Sequence, residues 1–519
     1  METEGKKFNP EFTPEDLEKV KKLLEERIKT IEIWREYALK KRRRSVLERL
    51  KRELQLLEEF KTFGDVKGYL EQLNGGEFKF LPGEVFFLLN PYFGKVRLTY
   101  KFPEPRDYSK VDRETALRFF LNKLAAKLTA LKLKEFLKAK EHTEGRKLLQ
   151  PGRVTVINRL VRTLKKLESG EKKFKILRGD FKDYTLNIPR KTLYKELERL
   201  EVPAHLVSLI KNFLSSGNRV SEKLKRYPIA SFFRKRDYRD DYNADANFRS
   251  LLNEDGVVPG SPLSNLLGQI FLLDFDKMME DIAGEDGFYA RFLDDFVLIF
   301  PEDKITDEEL KEKIISFIRK KYAEHPLVKT NPEGFPTEKI IKLDEIKTLP
   351  TDFDFLGYLF KPEKNRQRRT IRYKTLKKFL LKYLNEYKLK PDKNTTRDDL
   401  VKHLSAKSAY LYRWVYNFLQ VNDKKLLDEL FINFIYPDLF DTIFKYLKVK
   451  HPDLTTKELK TRTRMEVKKI KNYFKPTLIH RLLKKECAKV NNQGEECEKK
   501  LTELVKKVSK EIEERVTVK

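Results

Sequence analysis

The stretch 289-YARFLDDFVLIF-300 sets two acidic residues, Asp294 and Asp295, between the apolar runs 289–292 and 296–300. Each run has the length and the β-branched or aromatic content of a strand. The spacing predicts a β-hairpin with two carboxylates at its tip. An unpaired carboxylate held out of water is costly, so two adjacent acids in such a place call for a positive partner. A divalent metal is the strongest candidate, and paired metal ions suit phosphoryl transfer. Taken alone, the pair reads more readily as a turn, because Asp favours turns and tolerates strained backbone. A third carboxylate and a nucleotide-binding segment upstream decide between the two.

Both are present. In 175-KILRGDFKDYTLNI-188 an apolar strand delivers Asp180, followed at once by Phe181. A metal site at a strand end would use the Asp180 carboxylate and the Phe181 backbone carbonyl, oxygen ligands that suit Mg²⁺. Asp180 also reads as a turn or capping residue before the next helix. Farther on, 256-GVVPGSPLSNLLGQIFLLDFDKMM-279 runs from a Gly/Pro/Ser turn into a long apolar helix. Gly260 and Ser261 let a ligand approach the backbone closely. Leu263, Leu266, Leu267, Ile270 and Phe271 form a buried stripe beneath. By itself this segment reads as a loop into a core helix.

Composition narrows the setting. A chain of 519 residues is long enough for two to four domains. Hydrophobic residues make up 40%, enough for a large core, and charged residues 37%. Lys and Arg exceed Asp and Glu by 111 − 81 = 30, a surplus that points to a polyanionic partner. A heavily solvated Lys/Glu helical surface of thermophile type is the other reading of the charge content. The two cysteines, Cys487 and Cys497, form no CxxC pair and no Cys/His cluster. That pattern argues against a structural zinc site and excludes a disulfide framework, and a reducing interior is the default. No apolar run reaches transmembrane length, and METEGKKFNPEF lacks a signal core. The expectation is a soluble cytoplasmic protein with no membrane contact.

Along the chain, residues 14–60 read as charged amphipathic helix, with Pro14 after Thr13 at its start and a basic run at Arg42, Arg43 and Arg44. Residues 75–110 are aromatic, β-prone and punctuated by Gly and Pro, and 112–140 return to helix. The polar and aromatic stretch 216–255 reads as a mobile loop. Strand character resumes at the Asp pair and at 353-FDFLGYLF-360. A basic segment, KPEKNRQRRTIRYKTLKK, then opens an almost wholly helical remainder. The boundaries expected are an N-terminal helical extension at 1–74, a mixed domain at 75–360 and a helical region at 361–519.

The order of these features resembles a reverse transcriptase over roughly residues 90–375. In that family the first Asp is motif A, the Gly-Ser segment motif B and the paired Asp motif C. The resemblance implies an α+β, right-hand polymerase: fingers and palm with an antiparallel sheet plus helices, then an all-α thumb and C-terminal helical domain. It implies dNTP substrates, RNA or DNA partners and Mg²⁺ or Mn²⁺. The family's metal ligands fall on Asp180, Asp294 and Asp295, with the Phe181 carbonyl beside them. Nucleotide contacts fall on Lys95 and Arg97 in 94-GKVRLTY-100, and on Phe181, Tyr184, Thr185, Gly260 and Ser261. Lys339 in 337-TEKIIKL-343 matches the later motif lysine, and Lys347 competes for that role.

Three positions depart from the family pattern. The motif C turn is Phe292-Leu293-Asp294-Asp295, with Leu293 bulkier than the usual residue. Val258-Pro259-Gly260 stands where Pro-Gln-Gly is common. Thr185 occupies the usual place of the aromatic gate against the ribose 2′-hydroxyl, with Tyr184 just before it. These departures and the long helical C-terminus look most like the prokaryotic abortive-infection and unknown-group defence enzymes. Members of that group act against phage, and some synthesise DNA without a template or prime from a protein hydroxyl. Several are homo-oligomers. The alternatives are a group II intron-like or CRISPR-associated enzyme copying a specific RNA, and a non-catalytic RNA-binding scaffold.

Overall fold

Where apolar and aromatic residues cluster in short runs the chain is strand, and where they recur every three or four residues it is helix. A computed structural model describes residues 8–36, 41–89, 96–102, 111–145, 147–168, 170–216, 218–220, 256–257, 259–325, 328, 337–363, 366–386, 389–488 and 494–517. Most of the stretch 216–255 lies outside this set. The fold divides into two compact units. One comprises Met1–Leu23, Glu53–Gln150 and Glu171–Leu349, the other Leu24–Arg52, Pro151–Gly170 and Pro350–Lys519. The helix expected at 14–60 is two helices, Pro14–Glu36 and Lys41–Phe63.

The first unit carries two sheets. In the smaller, β1 (Gly83–Leu89) pairs antiparallel with β2 (Val96–Lys101). The larger is centred on β3 (Phe174–Phe181). A short β4 (Asn218–Val220) joins β1 in parallel. The hairpin read from the sequence is β5 (Phe288–Phe292) and β6 (Asp295–Pro301). Antiparallel order across the larger sheet is β5-β6-β3, then β7 (Ile341–Leu343), with β8 (Lys347–Thr348) also on β3. Side chains alternate across these strands. Leu177, Phe181, Phe296, Leu298 and Phe300 are buried on one face. Phe275, from the helix Leu273–Ala283, meets the rings of Phe181 and Phe296 edge-on at 5.3 and 5.2 Å. Burying rings of this size contributes roughly 1.5–3 kcal/mol each. The long helix Arg113–Glu144 starts where the Asp112 carboxylate accepts from the Thr115 amide and stops at Gly145, φ 63°. Those are the usual devices for each end.

The second unit holds a small sheet, β9 (Phe353–Phe355), β10 (Tyr358–Glu363) and β11 (Arg366–Ile371), and is otherwise helical among its described residues. Leu356 and Gly357, both at positive φ, make the two-residue turn from β9 to β10, the backbone that twisted hairpins prefer. Leu400, Leu404, Leu411 and Val415 of the helix Arg397–Tyr416 are buried, and Trp414 stacks on Phe379 at 4.0 Å. Lys407 of that helix, 1% exposed, pairs with Asp438 beneath the Tyr383 ring. Against the expectation of a reducing interior without a disulfide framework, Cys487 and Cys497 form a disulfide, with Cα atoms 5.0 Å apart. Two helices that end and begin a few residues from each other bring them together. Among the described residues no helix is long and apolar enough to cross a membrane.

Two histidines of this unit stay neutral. Burial, then the neighbouring Lys407, holds His403 down to about 3 from an ordinary 6.5. Burial, then Lys484, holds His480 down to about 4. The unfolded chain takes up a proton on each near pH 6.5, and the folded chain does so only near 3 and 4. Stability is therefore complete above about pH 6.5 and falls as the pH drops toward 4, by up to about 1.4 kcal/mol per pH unit for each histidine. Urea midpoints of wild type and His403→Leu, measured between about pH 7 and about pH 4.5, check this. The variant should lose stability less steeply, and parallel slopes would contradict the assignment.

Candidate active site

The ladder between β3 and β6 sets Asp180 directly opposite Asp295, Gly179 opposite Phe296 and Arg178 opposite Val297. Directly opposed residues share a face, so Asp180, Asp295 and Arg178 project together from the side away from Phe296. On β3's other side, Lys342 of β7 stands opposite Asp180. One row across the sheet thus reads Asp295, Asp180, Lys342. Opposed like charges destabilise a sheet, and positive charge is built in close by. Arg178 reaches Asp295 Oδ1 at 3.7 Å and Asp344 Oδ2 at 3.4 Å. Gly179 leaves room for the ring below, since a Cβ there would lie 2.3 Å from the Phe296 ring.

Asp294 lies in the hairpin turn, and its carbonyl accepts from the Phe181 amide at 2.9 Å. That bond ties the tip of one acidic motif to the strand end of the other. Leu293, the first turn residue, has φ 59°, a left-handed conformation that costs an L-residue about 1–2 kcal/mol. Both of its backbone groups are held. Its amide donates to Gln150 Oε1 at 2.9 Å, and its carbonyl accepts from Arg291 Nη1 at 2.7 Å. Arg291 is 3% exposed and forks onto Asp276, Nε to Oδ1 at 2.7 Å and Nη2 to Oδ2 at 2.6 Å. Burial alone would lower the Arg291 pKa, but the facing Asp276 carboxylate outweighs it and keeps the guanidinium charged. The buried Tyr289 hydroxyl donates to the same carboxylate at 2.7 Å.

The segment Gly256–Val257 docks beside the 3-10 turn Tyr184–Asn187. The Val257 amide donates to the Thr185 carbonyl at 2.7 Å, and the Gly256 amide to Ile188 at 3.1 Å. Gly256 has φ 76°, and a Cβ would sit 2.3 Å from the Leu186 carbonyl oxygen, so only glycine fits. Gly260, exposed at φ 105°, precedes Ser261. The Ser261 and Ser264 hydroxyls lie 2.6 Å apart, and each accepts from the other's amide, closing the turn into the helix Ser264–Phe271. Tyr184 is buried and its hydroxyl donates to the Gly268 carbonyl. Burial first, with Asp276 and Asp294 adding, drives that hydroxyl's pKa far up. Its ring packs against Gly268, and the adjacent Thr185 methyl would touch a Cβ there at 3.7 Å.

Backbone hydrogen bonds and strand register therefore gather Asp180, Phe181, Thr185, Asp294 and Asp295, with the turn before Ser264 bonded in alongside. Lys95 lies outside the described residues, as does Val258. Arg97 is on β2 opposite Leu88, with its side chain outside the described set. Lys339 ends a 3-10 turn whose next residue, Ile340, accepts from the Lys182 amide at 2.8 Å; its side chain is likewise outside. Lys347 pairs with Ile176, toward the far end of β3. Sequence reading passed over Lys342, Arg178, Asp276, Arg291 and Gln150. The one legible signal was Arg178, two residues before Asp180 and so on the same strand face.

The donor chemistry suits a hard divalent cation, with two carboxylates facing each other across a ladder. The gathered geometry does not: among the described residues no three His, Cys, Asp or Glu side chains lie close enough to hold a metal ion.

No family model matches the chain, and no curated protein matches it. Among solved structures, telomerase from Candida albicans in complex with a fragment of telomeric RNA aligns at 14% identity and a TM-score of 0.32, over 76% of this chain and 65% of that one. Apo telomerase from Candida tropicalis aligns at 10% identity and 0.36, over 83% and 64%. Its form truncated from the C-terminal domain aligns at 14% and 0.36, over 56% and 55%. The chain thus spans less than two thirds of each, and TM-scores at this level assign no fold.

The support beneath the hairpin is testable by itself. Asp276→Ala leaves Arg291 buried without its carboxylate, which should cost about 3–5 kcal/mol of stability. Chemical denaturation followed by circular dichroism reads this out. A loss under about 1 kcal/mol, the level of an exposed ion pair, would show that the fork does not hold the tip.

Proposed function

We propose that the chain is a nucleotidyltransferase of reverse-transcriptase type that extends DNA from dNTPs, RNA-directed or without a template, with Mg²⁺ or Mn²⁺ as cofactor. The observation that supports this best is Asp180 standing opposite Asp295 while the Asp294 carbonyl bonds the Phe181 amide. Acids from two distant stretches of the sequence, Asp180 and the pair Asp294–Asp295, come to one end of an apolar-floored sheet. In the reaction a 3′-hydroxyl attacks the α-phosphate of the incoming dNTP, and pyrophosphate leaves. A bound divalent cation would supply charge neutralisation at the attacking and leaving oxygens. Asp180 and Asp295 present the anionic oxygens to which it would bind. Lys342 and Arg178 place positive charge on the same face, where a polyphosphate would lie. The Gly256–Ser261 turn, bonded against Thr185, is the wall on which base and sugar would rest. The net charge of +30 fits a nucleic-acid partner.

A role in phage defence accords with the altered positions Leu293, Val258 and Thr185 and with the helical region after β11. Synthesis that does not copy a template strictly is the activity those departures favour.

Purified protein, stripped of copurifying nucleic acid and given Mg²⁺ and labelled dNTPs with and without RNA, tests the reading. Product without RNA supports template-independent synthesis, and label retained on denatured protein supports priming from a protein hydroxyl. Asp180→Asn and Asp294→Asn should each abolish incorporation while the circular dichroism spectrum stays that of the wild type, because the floor of the sheet is apolar. Wild-type incorporation by either variant, or no product from wild type under any condition, overturns the proposal. The second outcome would favour an RNA-binding scaffold.

A further inference from the structure

In the second unit, cations from distant stretches of the chain converge on one short segment. Residues 417–424 lead from the helix Arg397–Tyr416 into the helix Lys424–Leu430. The Gln420 side-chain amide donates to Asn158 Oδ1, on the helix Arg153–Glu168, at 2.7 Å. The Gln420 carbonyl accepts from Arg369 Nε of β11 at 2.8 Å. The Leu419 carbonyl accepts from His480 Nε2, on the helix Pro476–Ala488, at 3.0 Å. Lys165 follows Asn158 by seven residues and Lys484 follows His480 by four, so each lies on the helix face that carries its anchor. Lys424 ends the segment itself, its amide bonded to the Asn422 carbonyl at 3.1 Å. Asn422 is held in turn by Arg369, whose amide donates to Asn422 Oδ1 at 2.6 Å.

The charges so gathered are alike. Lys484 is exposed, yet desolvation, and then the charges of Arg369, Lys165 and Lys424, lower its pKa. The charges acting on it are all positive. The acid next along the chain, Asp423, is committed elsewhere: it accepts from Arg368 Nη2 at 2.8 Å and from the Leu426 amide at 3.1 Å. Like charges held together oppose folding, and an anion entering among them removes that repulsion. Ammonium groups beside an arginine fork suit phosphate oxygens. Three cations act on the fourth, which makes the cluster compact. A strand tracking through a site calls for an extended basic groove, whereas a compact cluster suits several charges carried on one group.

We propose that Lys165, Arg369, Lys424 and Lys484 form an anion site that takes a compact polyphosphate, the triphosphate of a free nucleotide or of a strand's 5′ end. The protein's own cations neutralise the ligand there. The acids of the hairpin belong to the first unit, and the inference is independent of the polymerase reading.

Isothermal titration calorimetry with inorganic triphosphate tests it, on the full chain stripped of nucleic acid and in EDTA, where the hairpin acids repel the probe. Wild type should bind saturably. Lys165→Gln and Lys484→Gln should each weaken binding about tenfold, the loss of one hydrogen bond to a charged group. Both lysines are exposed, so both variants should keep the wild-type Tm. Lys460→Gln removes the same charge from an exposed position of the helix Thr456–Ile470 and should bind as wild type does. Equal weakening by Lys460→Gln would reflect net charge alone and overturn the site. So would wild-type affinity in either cluster variant, or no saturable binding by the wild type. Competition identifies the source. Displacement of the probe by a 5′-triphosphate oligonucleotide in preference to a free nucleotide assigns a strand end, and the reverse order assigns the nucleotide. Equal displacement by the 5′-hydroxyl form of the same oligonucleotide would show that backbone phosphates suffice, against a compact site.

Discussion

The antiparallel pairing of β3 with β6 is the constraint on which the rest of the first unit depends. It sets Asp180 against Asp295, a contact that a sheet ordinarily avoids. Like charges directly opposed across a ladder destabilise it, though solvent screens these two, since Asp180 is exposed and the Asp295 side chain is 30% exposed. The sheet answers with cations on the same face, Lys342 across one ladder and Arg178 along the strand. It answers from below with Leu177, Phe181, Phe275, Phe296 and Leu298, which carry the packing without any polar group to satisfy.

Much of this was legible in the sequence, and the reason is periodicity. The runs around the Asp pair have the composition of strands whatever they pair with, so the hairpin and the position of its acids follow from local pattern. Asp180 at a strand end and the turn into the helix at Ser264 follow in the same way. What local pattern does not carry is register. Lys342 lies three residues after Lys339 and five before Lys347, and only the pairing of β7 with β3 selects it as the neighbour of Asp180. The Asp276–Arg291 fork was hidden for another reason: a charged residue inside a strand and an acid on a helix both read as solvent-facing until they prove to face each other. The disulfide was missed because two cysteines with nine residues between them say nothing of whether the helices bearing them turn back on one another.

The second unit treats charge as the first does. Lys407 and Asp438 form a buried pair, with His403 one turn away held neutral. Burial raises the Asp438 pKa even with Lys407 beside it, so desolvation there is the larger effect. Such pairs add little net stability over apolar packing, but losing one partner is severe. They specify which helix faces which, a use suited to a region built almost wholly from amphipathic helices whose apolar stripes are much alike.

The two faces of β3 divide the labour of the site. Odd-numbered residues from Leu177 to Phe181 belong to the floor, and Arg178 and Asp180 to the roof. The hairpin tip is also set from the floor. Leu293 is kept at its unfavourable φ by Gln150 and by Arg291, and Arg291 is anchored by Asp276. The backbone of the acidic tip is thus held by side chains of the same unit. A site so constructed rests on two strands held in register, with Arg178 beside both Asp295 and Asp344.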